Sequence, residues 1–420
     1  MEAQQHAVLK TIAWRFVPLL TFAYIINYLD RTNISVASLT MNTDLGLNAT
    51  QYGFGAGVLF IGYTVFEIPS NLALHRIGAR RWIARIMITW GVVSAATAFV
   101  NDSISYYIAR FALGVAEAGF FPGVAYFLAA WFPTEYRTRM LAWFLVAVPL
   151  STVIGAPVSG LLLQMDGMLG FKGWQWLFIV EGLPAVLVGF VVLRVLTDRP
   201  EAATWLSPSQ TASLNAMLAA EQRERPQSSF LGAMLDGRVW ILALVQFGFT
   251  LGSYGVGIFV PQIIKGFGLS NLASSFATAI PYLFASIAML LWSAHVDRTG
   301  KKIGNLAVAC LVGTLGLLAS VLTGNLLLAL AALTVALIGI TSARAVFWPI
   351  PTRFLSGVGA AAGLAFINSI GTSGGFAGPY LMGALRDLTG SFEVGLLVMA
   401  GFLVAAAVLA LSLKLVIKVE

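Results

Sequence analysis

The chain has 420 residues, of which 58% are hydrophobic and 10% are charged, and its mean hydropathy is +0.85. Soluble proteins carry about 25% charged residues, so this composition excludes a soluble globular protein and indicates one embedded in a lipid bilayer. The net charge of +7 does not indicate a nucleic-acid partner, because the basic residues stand in short stretches between apolar segments. The single cysteine, Cys310, excludes an intrachain disulfide.

A membrane-spanning helix needs about 20 mostly apolar residues, and we predict twelve such segments. The first is too long for a cleavable signal peptide. Of the 25 Lys and Arg residues, 19 fall on the side that holds both predicted termini, three on the other side and three inside segments. The positive-inside rule therefore predicts that both termini are cytoplasmic and the protein multi-pass in a cell membrane, the bacterial inner membrane. The segments are 14–39, 52–73, 82–100, 104–131, 139–165, 174–197, 237–263, 273–295, 303–323, 327–351, 358–385 and 392–416.

The longest polar stretch contains three prolines and divides the predicted helices into six plus six. We predict an N-terminal six-helix bundle at 1–197, a cytoplasmic linker at 198–236 and a C-terminal bundle at 237–420. Within the linker, 207–221 has the pattern of a short, capped surface helix.

Two basic turns indicate that the bundles are duplicated units. Gly78 follows the second segment and Gly300 follows the eighth, 222 residues apart and each beside basic residues. Repeats of this kind are common in transporters. The predicted fold class is an all-α membrane protein with twelve transmembrane helices in two pseudo-symmetric six-helix bundles. We expect segments one, four, seven and ten to line a central cavity.

The first segment contains two adjacent charges, Asp30 and Arg31. Placing either charge in hydrocarbon costs at least about 2.5–3.5 kcal/mol, so the pair must face protein or a water-filled cavity. Asn27 is on the same helical face, three and four residues away. A functional site is favoured, and a helix-packing ion pair is the alternative.

The fourth segment adds Arg110 and Glu117, seven residues apart and therefore on one helical face. Counting about 1.5 Å per residue places Arg110 at a depth similar to Asp30 and Arg31, with Glu117 nearer the membrane centre. A buried carboxylate whose partner can be exchanged can bind a proton, and an arginine can hold a substrate carboxylate through two hydrogen bonds. A purely structural network is the alternative.

Several motifs together resemble the major facilitator superfamily and, within it, the anion:cation symporter branch, over nearly the whole chain. They are Asn27-Tyr-Leu-Asp-Arg-Thr-Asn-Ile34, Gly78-Ala-Arg-Arg81, Arg110 with Glu117, Trp131-Phe-Pro-Thr-Glu-Tyr-Arg137 and Gly173-Trp-Gln-Trp-Leu-Phe-Ile-Val-Glu-Gly182. The chain looks most similar to members that import tartrate, phthalate or related carboxylates into bacteria. The resemblance implies import of a hydroxy acid, dicarboxylate or aromatic acid by proton symport and alternating access.

The resemblance also implies roles for individual residues. Arg31 and Arg110 would meet the substrate carboxylate, and Asp30 and Glu117 would exchange protons. Without substrate, we expect Asp30 to be the counter-charge of Arg31. Three further residues would complete the pocket, although each by itself is more typical of helix packing: Tyr63, Trp348 and Asn368.

Arg344 departs from the family, which usually has a small or uncharged residue there. It could hold a second carboxylate, which would favour a dicarboxylate, or it could act in a gate nearer the cytoplasm. Both interpretations stay open, because a buried charge shows only that a partner must exist. We assign Glu181 a structural role.

Five residues near the cytoplasmic ends of helices are predicted to act in gating: Glu67, Arg76, Arg80, Asp297 and Arg298. No nucleotide-binding motif or metal-ligand spacing is present in the sequence. We therefore expect no cofactor and no enzymatic activity, with the proton as coupling ion and a monomer as the working unit.

Two other functions remain possible on this sequence. One is an antiporter that exports drugs or metabolites, whose glycine-proline signature Gly155-Ala-Pro157 matches only in part; the other is a non-transporting carboxylate sensor.

Overall fold

The structure is a computed structural model that describes residues 2–222, 235–351, 354, 355 and 357–416. The described residues are almost entirely helical. Fifteen α-helices lie within these ranges: α1 (Glu2–Asp44), α2 (Ala49–Ile77), α3 (Ala79–Ala96), α4 (Ser103–Glu117), α5 (Phe120–Trp131), α6 (Thr134–Leu162), α7 (Gly173–Val195), α8 (Pro208–Gln222), α9 (Gly237–Gly257), α10 (Val260–Lys265), α11 (Asn271–Thr299), α12 (Lys302–Val321), α13 (Leu326–Phe347), α14 (Gly357–Thr389) and α15 (Glu393–Val416).

The described helices include eleven stretches that are long and apolar enough to cross a membrane. They match every predicted segment except the eleventh, 358–385. That segment is present as α14, whose 33 residues would extend about 50 Å. Helices α4 and α5 together form one crossing, and α10 follows α9 after a short break. The predicted twelve-helix fold class is confirmed.

The surface helix predicted at 207–221 is α8. The hydroxyl oxygen of Ser207 accepts a hydrogen bond from the backbone N–H of Gln210 at 3.3 Å, and the Gln210 side chain accepts one from the Ser207 N–H at 2.9 Å. This reciprocal capping box fixes the start of the helix. Residues 223–234 of the predicted linker lie outside the described residues, and the division of the chain at 198 and 236 stays a prediction.

One pair of helices, α2 in the first half (α1–α7) and α11 in the second (α9–α15), begins and ends at equivalent places, and each has 29 residues. Asn48 caps α2 and Ser270 caps α11, each through its side chain. The turns that follow these helices contain Gly78, with φ +96°, and Gly300, with φ +69°. Residues other than glycine rarely adopt a positive φ, so each of these turns favours glycine. The shared spacing supports the predicted duplication.

The helix order places the start of α1 and the end of α15 at one face of the molecule, the terminal face, and the connection between α1 and α2 at the opposite, distal face. Hydrogen bonds join the two halves at the distal face. Asp387 accepts from the backbone N–H groups of Ala49 at 3.1 Å and Thr50 at 2.7 Å, and from the Thr50 hydroxyl at 2.6 Å. Lys265 donates to the Leu39 carbonyl oxygen at 3.0 Å.

Close helix packing also holds the halves together in their distal parts. A Cβ added at Gly53 of α2 would overlap the carbonyl oxygen of Pro379 in α14, and one at Gly160 of α6 would lie 2.5 Å from Ser275 in α11. These small residues let the helices of opposite halves approach closely. The distal face is therefore closed in this conformation.

Replacing Asp387 with Asn should loosen the distal closure, because the amide is neutral and its nitrogen cannot accept, so the hydrogen bonds to one of the two carboxylate oxygens are lost. A loss of about 1–2 kcal/mol corresponds to roughly a 5–30-fold larger open population. The measurement is the rate at which a water-soluble maleimide modifies a cysteine at Ser38, which is buried at the distal face, in a Cys310→Ala background.

The matched control for that experiment is Asp44→Asn at the same face. Asp44 accepts a hydrogen bond from Trp174 of its own half at 2.9 Å, so it does not bridge the halves. Equal modification rates in Asp387→Asn and Asp44→Asn would show that Asp387 does not hold the distal face closed.

Candidate substrate site

A cavity lies between the two halves and contains about 760 Å³ of space, its open mouth included. None of the described residues that line it is acidic. Aromatic rings and polar side chains from both halves form its wall: Tyr24, Asn27, Tyr28, Arg31, Phe60, Tyr63, Phe121, Val148, Gln246, Phe249, Thr250, Tyr254, Arg344, Trp348, Asn368 and Thr372.

Arg31 projects from α1 into this cavity and forms an ion pair with Glu117. Its Nε donates to Glu117 Oε2 at 2.6 Å, and the Glu117 side chain is fully buried. The other carboxylate oxygen of Glu117 has no partner among the described residues. The guanidinium also lies over the rings of Tyr63 and Tyr28, at 4.8 and 5.4 Å from their centroids. The pair is thus fixed at the cavity wall.

A helix break positions Glu117. It is the last residue of α4, and Gly119, with φ +86°, separates α4 from α5. A Cβ at Gly119 would overlap the Ser70 hydroxyl, and that hydroxyl donates to the Ala118 carbonyl oxygen at 2.6 Å. The fourth segment was predicted as one continuous helix, so sequence reasoning missed this break.

Asp30 does not pair with Arg31, and that prediction was wrong. Its two carboxylate oxygens accept from Trp90 Nε1 at 2.9 Å and from the Ser94 hydroxyl at 2.6 Å, both in α3. Adjacent residues on a helix point about 100° apart. Arg31 therefore faces the cavity while Asp30 faces the interior of its own half.

Arg344 lines the cavity from the opposite half, in the last turn of α13. Its Nη2 donates to the Ser253 hydroxyl at 3.4 Å, and its guanidinium lies 5.5 Å from the Tyr254 ring centroid. Among the residues that the structure describes, no carboxylate forms an ion pair with it. The cavity therefore contains two guanidinium groups, of which only Arg31 is neutralised by direct contact.

Tyr63, Trp348 and Asn368, which were predicted to complete the pocket, all line the cavity. Asn368 also donates to Glu67 across the two halves at 3.3 Å. Glu67 is one helical turn beyond Tyr63 toward the terminal face. It therefore connects the halves next to the cavity, and its role in a gate stays a prediction.

Arg110 was predicted to meet the substrate, but it does not line the cavity in this conformation. It is buried inside the N-terminal half, and its Nε and Nη1 have no partner within the described ranges. The face of α4 that carries Arg110 packs against helices of the same half. A role in substrate binding would require a different conformation.

The other predicted gating residues do not join the halves here. Arg80 donates through Nε to the Leu193 carbonyl oxygen in α7 at 2.6 Å, and its backbone N–H donates to Asp198, which follows α7, at 2.7 Å. Arg76, Asp297 and Arg298 are exposed and make no hydrogen bond or ion pair to the opposite half within the described part of the chain. Their gating role stays a prediction for a conformation closed at the terminal face.

Sequence reasoning missed two polar residues of α9 that line the cavity, Gln246 and Thr250. They are four residues apart in an apolar segment, a spacing that places them on one face. The expected lining by segments one, four, seven and ten was incomplete. Segment four contributes only Phe121, whereas α2, α6 and α14 contribute as well.

The family model described as the Major Facilitator Superfamily matches residues 20–379 of this chain. The chain belongs to this superfamily. A superfamily relative from Agrobacterium vitis named "Putative tartrate transporter" is 50% identical over 409 residues, covering 97% of this chain and 94% of that protein. The "Quinolone resistance transporter" of Acinetobacter baumannii is 40% identical over 393 residues, covering 93% and 91% of the two chains.

A solved structure supports the same fold. The crystal structure of a bacterial homologue of the human lysosomal transporter Spinster, in an inward-facing and occupied conformation, superposes with a TM-score of 0.78 at 16% identity, covering 96% of this chain and 97% of that one. Identity this low supports the fold alone. As a member of the major facilitator superfamily, the chain is a multi-pass membrane transporter and not an enzyme.

Proposed function

We propose that this transporter imports a small dicarboxylate of the size of tartrate by proton symport. The observation that carries the proposal is that Arg31 and Arg344, on opposite halves, line one cavity and that Arg344 has no carboxylate partner among the described residues. Two guanidinium groups facing one space suit a ligand with two carboxylates. The name of the Agrobacterium vitis relative supports the same substrate class.

The Arg31–Glu117 pair provides a route to proton coupling. A carboxylate that enters the cavity competes with Glu117 for the Arg31 guanidinium. A buried carboxylate left without its counter-charge is unfavourable, so Glu117 takes up a proton from water. Substrate and proton then bind together, and linkage requires that low pH tightens substrate binding.

A dicarboxylate held by Arg31 and Arg344 would draw the two halves together around it. The distal face is already closed, so the occupied cavity would next close at the terminal face, beginning near Glu67 and Asn368. We propose that this alternation occurs in the bacterial inner membrane, with the terminal face in the cytoplasm, as the excess of basic residues there indicates. One chain forms the whole cavity, so a monomer suffices.

A ligand comparison tests the substrate class. Purified protein in detergent is titrated with L-tartrate and with its monomethyl ester, which keeps both hydroxyl groups but has one carboxylate. Loss of one charge-assisted contact, about 1.5–3 kcal/mol, should weaken binding by about 10- to 150-fold. The measurement is the dissociation constant by calorimetry, with the uncharged dimethyl ester as the control. Equal affinity for the acid and the monomethyl ester would exclude a two-arginine dicarboxylate site.

The Acinetobacter baumannii relative favours export of a drug as the second candidate function. Everted membrane vesicles distinguish the two. An exporter should accumulate the quinolone norfloxacin when the vesicle interior is acidified, and it should not respond to tartrate. Our proposal expects tartrate exchange and no accumulation of norfloxacin.

A further inference from the structure

The interior of the N-terminal half contains a second polar cluster that does not line the cavity. Asp30 and Asn33 contribute to it from α1, Ser159 from α6 and Glu181 from α7, and each is buried. Neither the substrate nor the Arg31–Glu117 pair of the proposed function uses Glu181. The cluster therefore needs an explanation of its own.

Glu181 is only 4% exposed, yet just one of its carboxyl oxygens has a partner. Oε1 accepts from the Ser159 hydroxyl at 2.7 Å, and Oε2 has no partner among the described residues. The Asn33 side chain faces Glu181 and is 2% exposed, and neither of its polar atoms has a hydrogen-bond partner within 3.5 Å among the described residues. Buried polar atoms of native proteins are nearly always satisfied, so these orphan atoms point to a missing ligand.

The two carboxyl groups of the cluster differ in their surroundings. Asp30 accepts hydrogen bonds from two donors, Trp90 and Ser94, which suits a charged carboxylate. Glu181 accepts a hydrogen bond within 3.5 Å only from Ser159 among the described residues, with the Asn33 amide facing it, and the carboxylate of Asp30 lies nearby. A buried carboxyl group with few donors and a like charge nearby is more stable with a bound proton.

Charge balance supports the same assignment. Among the described side chains of the N-terminal half, five carboxyl or guanidinium groups are buried or nearly so: Asp30, Arg31, Arg110, Glu117 and Glu181. With all of them charged, three carboxylates face two guanidinium groups, and a net negative charge is left in a low-dielectric interior. One bound proton removes this excess. Two further charged groups lie next to the cavity: Glu67 on α2 and Arg344 on α13.

We propose that Glu181, with Asp30, Asn33 and Ser159, forms a second proton-binding site that is separate from the Arg31–Glu117 pair. The proton comes from water and binds to the Glu181 carboxylate, and no other bond changes. Arg110 is buried in the same half as Asp30, so its positive charge offsets that of the carboxylate. We assign the Glu181 site a role in coupling, which rests on the proposed function. In that role it adds one proton to each transport cycle.

Infrared spectroscopy tests the site without any substrate. In purified, reconstituted protein, the carbonyl-stretch band of a protonated carboxyl group should appear in the wild type and shift in D₂O. Glu181→Gln should remove one such band. Ser159→Ala should keep the band but change the pH at which it titrates. The control is Glu201→Gln, an exposed carboxylate that pairs with Asn215 on the surface.

Two spectroscopic outcomes would overturn the assignment. The first is a Glu181→Gln spectrum that matches the wild type at every pH, in protein of wild-type melting temperature. The second is a wild-type band that disappears when Na⁺ replaces K⁺ at constant pH, because the cluster would then bind a monovalent cation in place of the proton.

Transport tests the coupling role separately. In proteoliposomes with an imposed pH difference, each coupled proton multiplies the accumulation ratio about tenfold per pH unit. Glu181→Gln should still accumulate L-tartrate, but with about a tenfold smaller ratio per pH unit than the wild type. An unchanged ratio with the band lost would refute the coupling role. A wild type that does not transport tartrate would refute the proposed function and leave the spectroscopic assignment standing.

Discussion

Replacing Arg344 with Gln should weaken L-tartrate binding by at least about 30-fold, with little effect on the affinity for the monomethyl ester. Arg344 lines the cavity without a carboxylate partner among the described residues, so its guanidinium is available to an incoming anion. A hydrogen bond to a charged group contributes about 1.5–3 kcal/mol, and 2 kcal/mol corresponds to about 30-fold. Calorimetric titration of wild type and variant with each ligand gives the ratio of their dissociation constants for L-tartrate and for the monomethyl ester.

The variant Arg344→Lys serves as the matched comparison. It keeps the positive charge but lacks the planar fork that binds a carboxylate through two hydrogen bonds. We expect its tartrate affinity to fall between wild type and Arg344→Gln. The gate interpretation of Arg344 predicts a different result, in which transport slows while both dissociation constants stay at the wild-type value. That result would remove Arg344 from the substrate site.

Replacing Glu117 with Gln should abolish uphill accumulation of tartrate while counterflow exchange continues. The Gln side chain can still accept a hydrogen bond from Arg31, so the wall of the cavity keeps its shape. It cannot bind and release a proton, and it neutralises Arg31 less than a carboxylate does. Tartrate should therefore bind at least as tightly as in wild type, and the pH dependence of its affinity should be much smaller.

The measurements are radiolabelled tartrate accumulation and exchange in proteoliposomes, together with affinity at several pH values. The exposed Glu201 provides the control, and Glu201→Gln should behave as wild type. A Glu117→Gln protein that accumulates tartrate against its gradient would show that the Arg31–Glu117 pair does not couple protons to transport. Wild-type affinity that rises with pH would contradict the sign expected from competition for Arg31.

The charged residues of segments one and four could be found in the sequence because burying a charge in a membrane is expensive. Their partners could not be found in the same way. Asp30 and Arg31 are neighbours in sequence, yet the first accepts hydrogen bonds from α3 and the second pairs with α4. Which helix faces each side chain depends on how the helices pack, and residue spacing within one segment does not contain that information.

Glu181 could also be found in the sequence, whereas its partners could not. Its motif contributed to the resemblance, but one carboxylate in an apolar segment is equally compatible with a structural hydrogen bond. Only the packing of α7 against α1 and α6 shows that Ser159 bonds one oxygen and leaves the other unpartnered. The break at Gly119 was also hidden, because the surrounding residues are as apolar as those of an uninterrupted helix.

The sequence by itself determined the membrane-embedded class, the approximate positions of the membrane segments, the duplicated turns at Gly78 and Gly300 and the family. These properties follow from composition, local periodicity and backbone conformation, which short stretches of chain specify. Only the tertiary structure decided that Arg344 faces Arg31 across a cavity, that Asp30 faces away from it and that the distal face is closed. These properties depend on contacts between residues far apart in the chain, and such contacts form only when the helices of the two halves pack together.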